Sequence, residues 1–119
     1  MAIVKIKNLA LRTIIGFNPE EREKKQDLVI NIKLDIESSK GEESDQAADT
    51  VDYKAITKRI IEEVESSGYN LLEALARRLV DIIGEFEGVY STSIEIDKPH
   101  ALRFSESVSV TISQNFRES

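Results

Sequence analysis

Residues 28–36 alternate without a break. Leu28, Ile30, Ile32, Leu34 and Ile36 fall on one side, and Val29, Asn31, Lys33 and Asp35 on the other. That period of two predicts a strand with one buried face. Residues 3–15 begin the same way, with Val4 and Ile6 opposed to Lys5 and Lys7, but the pattern slips near Asn8, which predicts a bulge. Residues 89–97 set Ile94 and Ile96 against Ser93, Glu95 and Asp97. Residues 107–113 set Val108, Val110 and Ile112 against Ser107, Ser109, Thr111 and Ser113. Two segments have the longer period of a helix. Over residues 53–67 the apolar positions are Ile56, Ile60, Ile61 and Val64, with Asp52 as N-cap and Gly68 as stop. Over residues 71–86 they are Leu72, Leu75, Leu79, Ile82, Ile83 and Phe86, and Asn70 with Glu73 fits a capping box. Residues 38–49 are polar and read as a surface connection with one short helical turn.

The order is β-β-α-α-β-β, an α+β fold. Two antiparallel hairpins make a four-stranded sheet with both helices on its apolar face. At 119 residues and 13.4 kDa, one core and one domain, residues 1–119, account for the chain. The sheet has two open edges, which must be blunted or paired. Pairing with neighbouring copies into a closed barrel is one solution, so the geometry predicts a homo-oligomer.

Charge and composition narrow the chemistry. The net charge is −6 and the pI about 4.9, which argues against a broad basic face for nucleic acid. The absence of cysteine excludes disulfides, thiolate nucleophiles and zinc ribbons, and the one histidine, His100, excludes a multi-His metal site within the chain. No apolar run reaches a membrane span, and residues 1–15 lack the apolar core of a signal peptide. No membrane partner and a cytoplasmic location are the expectations. The five glycines are scattered, without the spacing of a phosphate loop. The carboxylates of residues 41–49 lack the spacing of a calcium loop, so no metal is expected there.

The densest chemistry lies in residues 96–107, where Lys98, Pro99, His100 and Arg103 fall within six positions. A lysine held at a strand end by a proline is a candidate acid or base. The plainer reading is a strand-end lysine reaching water. In residues 16–22, Pro19 presets a turn, and Glu20 and Glu21 read as surface charges. Glu73 on its own reads as a helix cap.

Taken in order, Leu11-Arg12-Thr13-Ile14-Ile15-Gly16, Gln26-Asp27-Leu28-Val29-Ile30-Asn31, Thr50-Val51-Asp52-Tyr53, Asn70-Leu71-Leu72-Glu73-Ala74-Leu75 and Asp97-Lys98-Pro99-His100-Ala101-Leu102-Arg103, followed by Ser107-Val108-Ser109, form a set. It resembles the dihydroneopterin aldolase/epimerase family over residues 3–113. The last segment is the most specific and is more similar to the epimerases than to the aldolases. Phe17-Asn18-Pro19 departs from both subgroups.

The resemblance implies the tunnelling or T-fold and a homo-oligomer, tetramer or octamer, with active sites between subunits. It implies a 7,8-dihydropterin substrate whose C1′–C2′ bond breaks in a retro-aldol step. The ring's own N5=C6 unit accepts the electron pair, so the chemistry calls for no cofactor and no metal. Glu73 would anchor the pterin N2 and N3–H, and the amides of Leu71 and Leu72 its O4. Lys98 would be the acid–base residue near N5, acting through a water. Tyr53, from a neighbouring subunit, would relay a proton to or from the enol intermediate. Glu21 matches an acidic position five residues after the glycine, and Val51 would line the pterin pocket. A triphosphate tail would call on Arg12, His100 and Arg103. Three activities stay open: 2′-epimerisation of dihydroneopterin triphosphate, aldol cleavage of dihydroneopterin in folate synthesis, and non-catalytic pterin or purine binding.

Overall fold

The computed structural model describes residues 1–117. Strands β1 (Ala2–Thr13), β2 (Gln26–Ile36), β3 (Val89–Pro99) and β4 (Ser107–Asn115) form one antiparallel sheet in the order β1-β2-β3-β4. A short helix α1 (Ser39–Ser44) and a 3-10 turn (Ala47–Asp49) make up the polar connection. Two longer helices follow, α2 (Tyr53–Ser66) and α3 (Leu72–Gly84). Helix α2 packs over β1, and α3 over β3 and β4. Among the described residues no helix is long and apolar enough to cross a membrane.

The alternation of β2 decides which way the sheet faces. Leu28, Ile30, Ile32, Leu34 and Ile36 are all buried, and Ile94 and Ile96 of β3 join them. Against them lie Ile56, Ile60 and Val64 of α2 and Leu75, Leu79, Ile82 and Ile83 of α3. Truncating one of these to alanine costs about 2–5 kcal/mol. The bulge sits where the alternation slips. Register jumps between Ile6 and Leu9, and Asn8 adopts φ +54°. Asparagine tolerates that region because its short polar side chain bonds locally. Here Asn31 Oδ1 accepts from the Asn8 amide at 2.8 Å and Asn31 donates back to Asn8 Oδ1 at 3.4 Å.

The helix ends agree with the sequence in one case and not in the other. Asp52 caps α2, its Oδ1 accepting from the amides of Lys54 and Ala55 at 3.0 Å. For α3 the capping box does not form. The N-cap is Leu71, in extended conformation and without a side-chain cap, so Asn70 lies outside the helix and Glu73 belongs to its first turn. Strand β3 also runs two residues past the predicted end, so Lys98 pairs with Val108 and Pro99 with Ser107.

One consequence of this packing governs the site. The C-terminal end of α2 is tied to the end of β1, where Thr13 Oγ1 donates to the Ser67 carbonyl at 3.1 Å. The N-terminal end lies over the first residues of β1, and Tyr53 shares a groove with Ile3 and Val4. Fourteen residues of helix separate the two ends, a distance of about 20 Å.

Candidate active site

Beyond β1 the chain turns through Gly16 at φ +116° and then makes a 3-10 turn over Pro19–Arg22. The turn folds Glu21 back over Gly16. The positive φ favours glycine at Gly16, and a Cβ there would push the Glu21 carboxyl group out of place. The carboxylate is then held from three sides. The Asn18 amide donates to its Oε1 at 3.2 Å, Gln26 Nε2 donates to its Oε2 at 3.2 Å, and Lys98 Nζ donates to the same Oε2 at 2.5 Å. Gln26 is itself fixed by donating to the Ile15 carbonyl at 2.8 Å. The bond from Lys98, reinforced by that from Gln26, lowers the Glu21 pKa to about 2.

Glu21 is therefore not the free surface charge that its place in a polar turn suggests, whereas its neighbour Glu20 is exposed. Only 18% of the Glu21 side chain and 14% of the Lys98 side chain remain exposed. An exposed ion pair contributes little. This one is largely withdrawn from water, and a third group, Gln26, fixes its orientation. A lowered carboxylate is not in itself the mark of a site. Glu37 is also brought to about 2, by Ser39 and Tyr90, whose hydroxyl is 2.5 Å away and whose own pKa is raised in return. What distinguishes Glu21 is its partner, a lysine at the mouth of β3.

The first turn of α3 lies at the same end of the molecule. The Gly16 amide donates to the Tyr69 carbonyl at 3.2 Å, which joins the β1–β2 turn to the loop that leads into α3. Leu71 is 44% exposed, Leu72 buried and Glu73 exposed. Without a side-chain cap, the first amides of α3 are available to an acceptor, beside a free carboxylate at Glu73. Donors and an acceptor side by side fit a flat heterocyclic amide edge.

His100 and Arg103 follow Lys98 in the β3–β4 turn. His100 adopts φ +61°, and its amide reaches the Glu106 carbonyl at 3.5 Å. The Arg103 guanidinium stands 5.3 Å from the ring centroid of Phe104, itself 94% exposed. Arg12 is engaged elsewhere, with Asp27 at 3.1 Å and the Lys25 carbonyl at 3.2 Å, as a surface arginine would be.

Val51 and Tyr53 do not join this cluster. They lie at the other end of α2, Val51 in the core and Tyr53 49% exposed. Tyr53 lines a groove of about 850 Å³ together with Ile3, Ile6, Thr57 and Ile61. This is the largest cavity described, and it is not where the lysine is. One chain brings Glu21, Lys98 and the start of α3 to one end and leaves Tyr53 at the other. Sequence reasoning missed Gln26 as a partner of Glu21, because no spacing rule connects an amide at a strand start with a carboxylate in the preceding turn.

Residues 4–113 match the family model described as dihydroneopterin aldolase. A dihydroneopterin triphosphate 2′-epimerase of Escherichia coli K12 is 44% identical over 112 residues, 94% of this chain and 93% of that protein. One from Pseudomonas aeruginosa PAO1 is 40% identical over 112 residues, 94% of this chain and 91% of that protein. Among solved structures, E. coli dihydroneopterin aldolase in complex with neopterin superposes with a TM-score of 0.90 at 28% identity, covering 97% of this chain and 100% of that one.

Proposed function

Because the chain belongs to the dihydroneopterin aldolase family, we propose that it inverts C2′ of dihydroneopterin triphosphate by breaking and re-forming the C1′–C2′ bond. The observation that carries this reading is the Glu21–Lys98 pair beside the uncapped start of α3. It offers an ammonium, a fixed carboxylate and a ring-edge anchor at one end of the molecule. The identity of 40–44% to the two epimerases, against 28% to the neopterin-bound aldolase, supports epimerisation as the main outcome.

Glu73 accepts from the pterin N2 and N3–H, and the Leu71 and Leu72 amides hold O4, as a carboxylate beside free helix amides is suited to do. That orientation directs N5 and the side chain toward Lys98. A base removes the 2′-hydroxyl proton as the C1′–C2′ bond breaks. The C2′ fragment leaves as an aldehyde, and the bond's electron pair passes through C1′ and C6 to N5, which takes a proton. Lys98, through a water, is the group that exchanges protons at N5, and Glu21 holds its ammonium in place. Re-addition to the opposite face of the aldehyde, with both protons returned, inverts C2′ and leaves the composition unchanged. Escape of the aldehyde instead gives the 6-hydroxymethyl product of an aldolase.

Tyr53 relays the proton to the intermediate, and because its own chain holds it about 20 Å away along α2, it serves the site of a neighbouring copy. The apolar groove beside it and the two open sheet edges support a homo-oligomer. Val51, at the Tyr53 end, lines the pocket of the neighbouring copy, and His100 and Arg103 meet the triphosphate from the β3–β4 turn. The compartment proposed is the cytoplasm.

The test is a product analysis. Purified protein is incubated with dihydroneopterin and, separately, with its triphosphate, and the oxidised pterins are separated with fluorescence detection. Monapterin formed mainly from the triphosphate supports the reading. Hydroxymethylpterin formed mainly from the unphosphorylated substrate makes the protein an aldolase. No change in either leaves a pterin-binding protein and removes the catalytic role of Lys98.

A further inference from the structure

Arg22 is the last residue of the 3-10 turn that carries Glu21, and although the residue is exposed its guanidinium is spent on backbone carbonyls rather than on a carboxylate. Nη1 donates to the Gly16 carbonyl at 3.1 Å and to the Tyr69 carbonyl at 3.3 Å, and Nη2 donates to the Gly68 carbonyl at 2.8 Å. Among the described residues no ion pair of Arg22 is recorded. The chain makes room for it, since a Cβ at Gly68 would stand 3.2 Å from Nη2. One planar fork thus binds carbonyls on two separate segments, a geometry open to arginine and not to a point-charge lysine. The first segment is the turn that carries Gly16 and Glu21, the residue whose carboxylate holds Lys98. The second is the loop that leads into α3, where Glu73 lies four residues after Tyr69.

We propose that Arg22 is a positioning residue which sets the distance between the Glu21–Lys98 pair and the ring anchor at the start of α3. This rests on the functional reading above, because that distance matters only if one ligand spans both. The ring is gripped at Glu73, and the reacting bond lies several atoms further along the substrate. A small shift of the turn against the loop leaves both contacts intact and misplaces the proton donor. Misplacement of about 1 Å can cost on the order of a hundredfold in rate. The backbone bond from Gly16 to Tyr69 and the bond from the Thr13 hydroxyl to the Ser67 carbonyl also join the two segments, so the fold survives without the guanidinium.

The test compares wild type, Arg22→Met and Arg22→Lys by steady-state kinetics on the triphosphate and by fluorescence titration with neopterin, well below the melting temperature of each. Arg22→Met is expected to lower kcat by roughly tenfold to a hundredfold, with the neopterin affinity and the shape of the pH profile retained. Arg22→Lys should recover part of the loss, since an ammonium can hold one segment's carbonyls but not span both. Amide hydrogen exchange at Gly16, whose amide donates to the Tyr69 carbonyl, should quicken in Arg22→Met. An unchanged kcat per folded molecule overturns the proposal, as does a loss of neopterin affinity as large as the loss of kcat. If the wild type turns over neither pterin substrate, the functional reading fails and this proposal fails with it. If the wild type is active and Arg22→Met matches it, only the proposal fails.

Discussion

The two ends of α2 differ in kind. At the Ser67 end many polar groups have found a partner within the chain, while the first amides of α3 and Glu73 are left for a ligand. Thr13 meets Ser67, Gly16 meets Tyr69, Gln26 meets Ile15, and Glu21 takes Asn18, Gln26 and Lys98 together. At the Tyr53 end the surface is apolar and open, with Ile3 55% exposed and Tyr53 49% exposed beside an 850 Å³ groove. An exposed apolar patch rimmed by polar groups marks an interaction surface. The polar network of the first end is built by one chain. The second has the features of a surface finished by another copy. In the proposed enzyme, acid–base chemistry belongs to the first and the proton relay to the second.

The largest effect should come from breaking the polar end. Lys98→Ala is expected to lower kcat by roughly 10²–10⁴ while neopterin still binds, as kinetics and fluorescence titration will show. Breaking the open end should also remove activity, by a different route. Ile3→Lys puts a charge on the apolar edge, and sedimentation should show dissociation in parallel with lost turnover. A smaller effect is expected at the anchor. Glu73→Gln gives up charge-assisted bonds of about 1.5–3 kcal/mol, so KM should rise by roughly tenfold to a hundredfold. Its melting temperature should be unchanged, because Glu73 is exposed.

The smallest effect is one of pH. The Glu21 pKa lies at about 2, below the usual glutamate value. A depressed carboxylate stabilises the fold in full above its unfolded pKa, and that contribution is lost as the pH falls from about 4.5 toward 2. Melting curves over that window should fall more steeply for wild type than for Glu21→Gln.

Much of the fold is legible in the sequence because the signals are local. The unbroken alternation of residues 28–36 requires a half-buried strand. Asn8 breaks a pattern at the bulge, and Asp52 stands one residue before a helical period. Asn70 misleads because its spacing to Glu73 copies a capping box, yet the helix starts one residue later. The site is legible only in part. Lys98 stands out by its proline, but the partner that fixes it, Glu21, lies 77 residues away in a turn whose residues look like solvated charges. Long-range pairing of this kind follows from sheet register and has no periodic trace. Arg22 is hidden for the same reason, since all its partners are backbone carbonyls, which no side-chain pattern reveals.

Central to the proposed enzyme is the claim that one catalytic site draws Lys98 from one copy and Tyr53 from another. It is tested most directly by mixing two inactive variants, Lys98→Ala and Tyr53→Phe, after unfolding and refolding them together. If the site is shared, about a quarter of the sites in a random mixture hold both native residues, and turnover returns to that level relative to wild type. If the mixture stays as inactive as its components while each variant refolds and assembles, both residues act within one chain and the claim is contradicted.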